Sequence, residues 1–161
     1  PMNLFLLNLL LALAWGALTG SFEPLNLLFG FILGFLVLGL SERSLSPGGG
    51  RYLRKSLLAF QLIGIAFIDI LKANLRVART VLSPRPSLRP AVVSFPLDLR
   101  TEGAITLLSN LISLTPGTLS LDVSSDRTTL FSHVLWLDEA ERFRQELKNG
   151  YERRIKELME T

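Results

Sequence analysis

The first forty residues are apolar almost without a break, and they fall into two runs. Met2 to about Thr19 is the first and Leu25 to Leu40 the second. Each is close to the lower limit of about 17 residues for a helix that crosses a bilayer. Between them, Gly20-Ser21-Phe22-Glu23-Pro24 has turn chemistry, with a proline placed for a first helical turn. The pattern predicts helices over about 2–19 and 25–40, paired as a hairpin in the membrane. Glu23 is the single charged residue in positions 1–40, and a chain of 161 residues has little bulk in which to bury such a hairpin. No Lys or Arg precedes the first run, and a second run follows at once, so the segment reads as a retained span and not as a signal peptide.

The pattern then changes. Ser41 to Lys55 reads as a loop around Ser46-Pro47-Gly48-Gly49-Gly50. A third apolar run predicts a helix over about 56–82, but Gln61, Asp69, Lys72, Arg76 and Arg79 recur along it at helical spacing, which makes it amphipathic. Residues 83–90 hold three prolines and read as a linker. Residues 1–82 therefore form a membrane domain and residues 91–161 a second domain. The second domain predicts a strand at Ala91–Leu97, with Pro96 pointing to a sheet edge. A helix follows from Thr101 to Leu114. Leu119–Val123 alternates with period two and pairs as a hairpin with Thr128–Leu137 across Ser124-Ser125-Asp126-Arg127. Asp138 and Glu141 make a capping box for a last helix, whose apolar stripe is Phe143, Leu147, Tyr151, Ile155 and Leu158. The expected fold class is an α+β membrane protein: a transmembrane helical hairpin, a third amphipathic helix, then a small strand-helix-strand-strand-helix domain.

Charge helps to orient this arrangement. Residues 1–90 carry nine basic and three acidic side chains, and residues 91–161 carry eight and eleven. The positive excess flanks the apolar runs, which suits anionic headgroups and argues against nucleic acid. Three spans would place the basic clusters of 41–55 and 72–90 on opposite sides of the membrane. Two spans and an interfacial helix would place both on the cytoplasmic side, which the positive-inside rule favours.

Little in the chain carries reaction chemistry. There is no cysteine, and His133 is the lone histidine, so neither a thiolate or histidine-cluster metal site nor a cofactor site is expected. No serine lies in a nucleophile elbow, and no catalytic residue is assigned. Gly16 with Gly20, and Gly30 with Gly34, have the four-residue spacing of helix-packing positions. Asp69 is the one acid in the third run, a candidate ion ligand or else a partner for Lys72. The most informative segment is Leu107 to Val123: Pro116-Gly117 ends a helix and starts a strand, with Thr115 and Thr118 able to bond the freed backbone groups.

Leu111-Ile112-Ser113-Leu114-Thr115-Pro116-Gly117-Thr118-Leu119-Ser120-Leu121-Asp122-Val123, with His133 and Leu137-Asp138 downstream, resembles the MnhE family, a small component of multi-subunit Mrp-type sodium/proton antiporters. The spacing from His133 to Asp138 is longer than that family's His-x-Leu-Asp, and no role passes to His133. The resemblance implies a small accessory subunit of a cytoplasmic-membrane complex that exchanges sodium for protons. It would be multi-pass with a cytoplasmic C-terminal domain, and its partners would be the other subunits and the bilayer. The ion path would lie mainly in the large subunits, and this chain would be no enzyme. The competing expectation is a stand-alone membrane-anchored module that recruits a cytoplasmic protein.

Overall fold

The computed structural model of the chain describes residues 4–45, 51–84 and 86–160. They form two compact units, 1–57 and 58–161. In the first unit, α1 (Leu4–Thr19) and α2 (Pro24–Leu45) are a helical hairpin. Gly20, at φ +68°, turns the chain after α1, and Ser21 N–H caps back to the Gly16 carbonyl at 3.1 Å. Nothing lies within 4 Å of where its side chain would be, so Gly20 is a turn residue and not the packing position expected from its spacing. The other three glycines do face the opposite helix. A Cβ on Gly16 would meet Leu27, one on Gly30 would meet Trp15, and one on Gly34 would run into Asn8. Asn8 is fully buried, and its Nδ2 donates to the Tyr52 hydroxyl at 3.2 Å.

The expected loop over 41–55 is shorter than its composition suggested. α2 continues to Leu45, and α3 (Arg51–Leu82) begins at Arg51. Neither flank contains a helix breaker; Pro47 and the three glycines do, and they lie outside the described residues.

The second unit holds most of α3 and a three-stranded antiparallel sheet of order β1-β3-β2. The strands are β1 (Ala91–Pro96), β2 (Thr118–Val123) and β3 (Thr129–Val134). Pro96 ends β1 on a sheet edge, where its missing N–H costs no ladder bond. α4 (Glu102–Leu114) is capped by the Thr101 hydroxyl, which accepts from Ala104 N–H. One face of the sheet carries Phe95 and Leu130 into a core with Leu108, Ile112 and Ile155. Leu62 and Ala66 of α3 belong to the same core. For that reason the proline segment is not the boundary between compact units: α3 beyond residue 57 is part of the C-terminal body. The segment is itself stitched in, with Arg89 N–H on the Leu135 carbonyl at 3.1 Å and Leu137 N–H on the Arg89 carbonyl at 3.0 Å.

That stitching also corrects two other expectations. β3 stops at Val134 and not at Leu137, because residues 135–137 bond to Gly117 and Arg89 instead of continuing the ladder. Asp138 does not cap the last helix. The residue before α5 (Ala140–Leu147) is Glu139, and it makes no side-chain cap. The extended backbone through Leu137 leaves Asp138 one residue too early, 4.0 Å from exposed Arg89.

After α5 comes a π turn, Lys148–Glu152, and then α6 (Arg153–Met159). A stripe that steps by four residues drifts about 40° per step around an α-helix of 3.6 residues per turn. The wider π turn absorbs this drift, so Leu147, Tyr151 and Ile155 are all buried on one side.

Candidate functional site

The Thr-Pro-Gly-Thr corner joins α4 to β2 through three fixed points. Thr115 closes α4, its N–H bonded to the Ile112 carbonyl at 3.1 Å and its hydroxyl to the Leu111 carbonyl at 3.1 Å. The Thr118 hydroxyl donates to the Ile112 carbonyl at 2.5 Å and reaches the Thr115 carbonyl at 2.9 Å. These hydroxyls serve carbonyls that a helix end leaves open. Gly117 stands at φ +92°, and the Trp136 ring occupies the place a Cβ would take. Ser120 is tied back to α4 by its N–H on Ser113 Oγ at 3.1 Å and by its own hydroxyl on the Ser109 carbonyl at 3.0 Å.

α3 meets this corner through two side chains on one face. Asp69 Oδ2 accepts from the Tyr151 hydroxyl at 2.8 Å. The Arg76 guanidinium lies over the Trp136 ring, 5.8 Å from its centroid. Seven residues separate Asp69 and Arg76, two helical turns, so they share a face. Burial chiefly, and then the hydrogen bond and charge of Asp69, raise the Tyr151 phenol above its usual range, while the Thr115 side chain pulls weakly the other way. The tyrosine is therefore a fixed donor at any ordinary pH. Asp69 thus sits against the C-terminal domain, and Tyr151, Trp136 and Arg76 were not singled out from the sequence as members of this site. The signal that could have found them is the heptad spacing of one acid and one base on α3.

The remaining sequence candidates are scattered. Asp122 Oδ1 accepts the N–H of Val123 at 2.8 Å beside the irregular register between Ser120 and Asp122. His133 pairs with Val92 and Leu119 in the middle of the sheet, away from the corner residues' side chains. Among the described residues no group of three His, Cys, Asp or Glu could hold a metal ion.

One buried acid was also missed. Glu152, in the π turn, is 1% exposed; its Oε1 accepts from Asp98 N–H at 2.6 Å, and its Oε2 has no partner. Lys148, 3.0 Å from Asp98, sits one turn before it. Burial foremost, with the Asp98 charge, raises the Glu152 carboxyl above the usual range, against the opposing backbone N–H groups and Lys148. The folded state then holds this proton more tightly than the unfolded one. Stability is full below the ordinary carboxylate range and falls as pH rises through the folded value. Glu152→Gln keeps the acceptor for Asp98 and removes the charge. Denaturant midpoints measured across pH are expected to lose this fall, and an unchanged pH slope would refute the assignment.

A sequence profile of the family described as Na+/H+ ion antiporter subunit, MnhE, matches residues 8–158. The chain belongs to the MnhE family. It is 36% identical to the family's Na+/H+ antiporter protein from Bacillus subtilis over 95% of this chain and 96% of that one. It is 37% identical to the corresponding Na+/H+ antiporter protein of Staphylococcus haemolyticus, covering 96% of each. It also shares the fold of a chain in an archaeal respiratory membrane complex, the membrane-bound sulfane sulfur reductase. There the TM-score is 0.57 at 23% identity, over 96% of this chain and 98% of that one. This MnhE chain is a membrane protein, in keeping with two helices long and apolar enough to cross a bilayer, Pro24–Ser41 and Tyr52–Leu82.

Proposed function

We infer that this chain is an accessory subunit of a multi-subunit Na+/H+ antiporter in the cytoplasmic membrane, passing no ion itself and supporting assembly and function of the subunits that do. The relatives' names supply the complex. The observation that carries the accessory role is the hydrogen bond from Tyr151 to Asp69. The one acid of the third apolar run is engaged in holding α3 to the C-terminal domain. The glycines that face α1 or α2 suit a hairpin built to pack closely, on itself and on neighbours. The basic residues after α2 and along α3 favour a multi-pass chain with its C-terminal domain on the cytoplasmic side. The reading assigns the chain no enzymatic reaction.

Asp69→Asn discriminates an ion ligand from a structural tie. Asparagine still accepts from the tyrosine hydroxyl, so sodium/proton exchange in membranes carrying the whole complex is expected to stay at the wild-type rate. Asp69→Leu removes the acceptor and costs about 1–3 kcal/mol, so less complex is expected, with normal exchange per assembled complex. A collapse of exchange in Asp69→Asn with the complex intact would place the carboxylate in the ion path.

A further inference from the structure

By length and composition, Tyr52–Leu82 could cross a membrane. Its surroundings argue otherwise. Leu62 and Ala66 are in the core of the C-terminal domain, Asp69 is bonded to Tyr151, and Arg76 covers Trp136. At about 1.5 Å per residue this docked stretch is about 21 Å long. A span would carry the domain's polar body into a hydrocarbon core about 30 Å thick. The undocked part, Arg51 to Gln61, reaches only about 16 Å and cannot cross alone.

The opposite face of α3 is apolar and open. Phe60, Ile63, Phe67, Leu71 and Leu75 follow one another at helical spacing and are 68%, 65%, 60%, 53% and 52% exposed. Exposed Gln61, Lys72 and Arg79 fall together along one flank of that stripe. We propose that α3 lies along the cytoplasmic surface of the bilayer. Its phenylalanine-rich stripe enters the boundary between headgroups and acyl chains, its Lys72/Arg79 flank meets anionic phosphates, and the C-terminal domain rides on its other side. The occupant is lipid because the stripe continues from a membrane hairpin in the same chain and is bordered by the charge that anionic headgroups attract. The inference rests on the membrane reading of the hairpin and not on the antiport reading.

The chain has no cysteine, so single labels are clean. Spin labels at Phe60→Cys, Phe67→Cys and Leu75→Cys, in the full chain reconstituted into phosphatidylethanolamine/phosphatidylglycerol vesicles, report depth from oxygen against aqueous relaxation agents. All three positions point outward and take a substitution without disturbing the core. The expected result is one shared depth of about 5–10 Å for all three labels, with a shift outward when phosphatidylglycerol is omitted. A depth that varies steeply along the series, reaching the bilayer centre about 15 Å down, would make α3 a span and overturn the proposal. Labels exposed to the aqueous agent, or shielded from both agents as under a protein partner, would overturn it equally. Exchange activity plays no part in the readout, so failure here leaves the transport reading standing.

Discussion

Replacing Gly117 with valine is expected to unfold the C-terminal domain or to leave it only marginally folded. Two costs coincide at this position. At φ +92° a β-branched residue is strained, by about 1–3 kcal/mol. Its Cβ would also overlap the Trp136 ring, and overpacking adds about 1–3 kcal/mol. Trp136 has little room to move. Its neighbours are held by backbone bonds, Leu135 N–H to the Gly117 carbonyl at 2.8 Å and Leu137 N–H to the Arg89 carbonyl at 3.0 Å. The combined cost is a large share of the about 5–15 kcal/mol that holds an ordinary domain folded. Denaturant unfolding of the full chain in detergent, followed by tryptophan fluorescence, measures it. Gly117→Ala with Trp136→Leu removes the clash and keeps most of the strain, so it should recover part of the loss. A wild-type midpoint for Gly117→Val would sink the account. Because Trp136 is also the surface under Arg76, the same substitution should loosen α3 from the domain.

The corner shows what could be read in the sequence and what could not. Pro116-Gly117 flanked by two threonines announced a helix-to-strand turn with its own hydroxyl partners, because every bond in it is local. The alternation of Leu119 to Val123 announced a strand for the same reason, and the long run from Leu111 to Val123 was specific enough to point to the MnhE family. The docking of α3 was not legible. Asp69 and Tyr151 are 82 residues apart, and a polar stripe on a helix looks the same whether it faces water, headgroups or another domain. Gly20 and Gly16 likewise share one spacing in the sequence, and only the positive φ of Gly20 separates a turn from a packing surface. Asp138 had the right neighbours for a cap, but a long-range backbone bond at Leu137 moved the helix start beyond its reach. Proline content marked a linker correctly as irregular chain, yet said nothing of whether the segments on either side of it share a core.

Gly30→Leu is expected to open the α1–α2 hairpin and, with it, the complex. A Cβ on Gly30 would lie 2.8 Å from the Cβ of Trp15, an atom no rotamer change can move. The helices must separate or shift, and Trp15 is the pivot of the polar tie at the turn. Its indole N–H donates to Asn26 Oδ1 at 3.1 Å, and Asn26 Nδ2 donates to Thr19 Oγ1 at 2.7 Å and to the Ser21 carbonyl at 2.6 Å. In lipid, apolar surface gains little by leaving lipid for protein, so close backbone approach and such hydrogen bonds are most of what holds two helices together. Overpacking of about 1–3 kcal/mol is therefore set against a small total, where the same change in a large soluble core would be partly absorbed. Gly64→Leu is the control: it adds the same side chain to α3 where nothing lies within 4 Å. Native gels of the complex, with disulfide trapping between cysteines placed on facing positions of α1 and α2, should show loss of both assembly and trapping for Gly30→Leu and neither for Gly64→Leu. Equal behaviour of the two variants would mean that Gly30 is merely tolerated in α2, and that the hairpin is held by the turn at Gly20 and by the neighbours it meets in the complex.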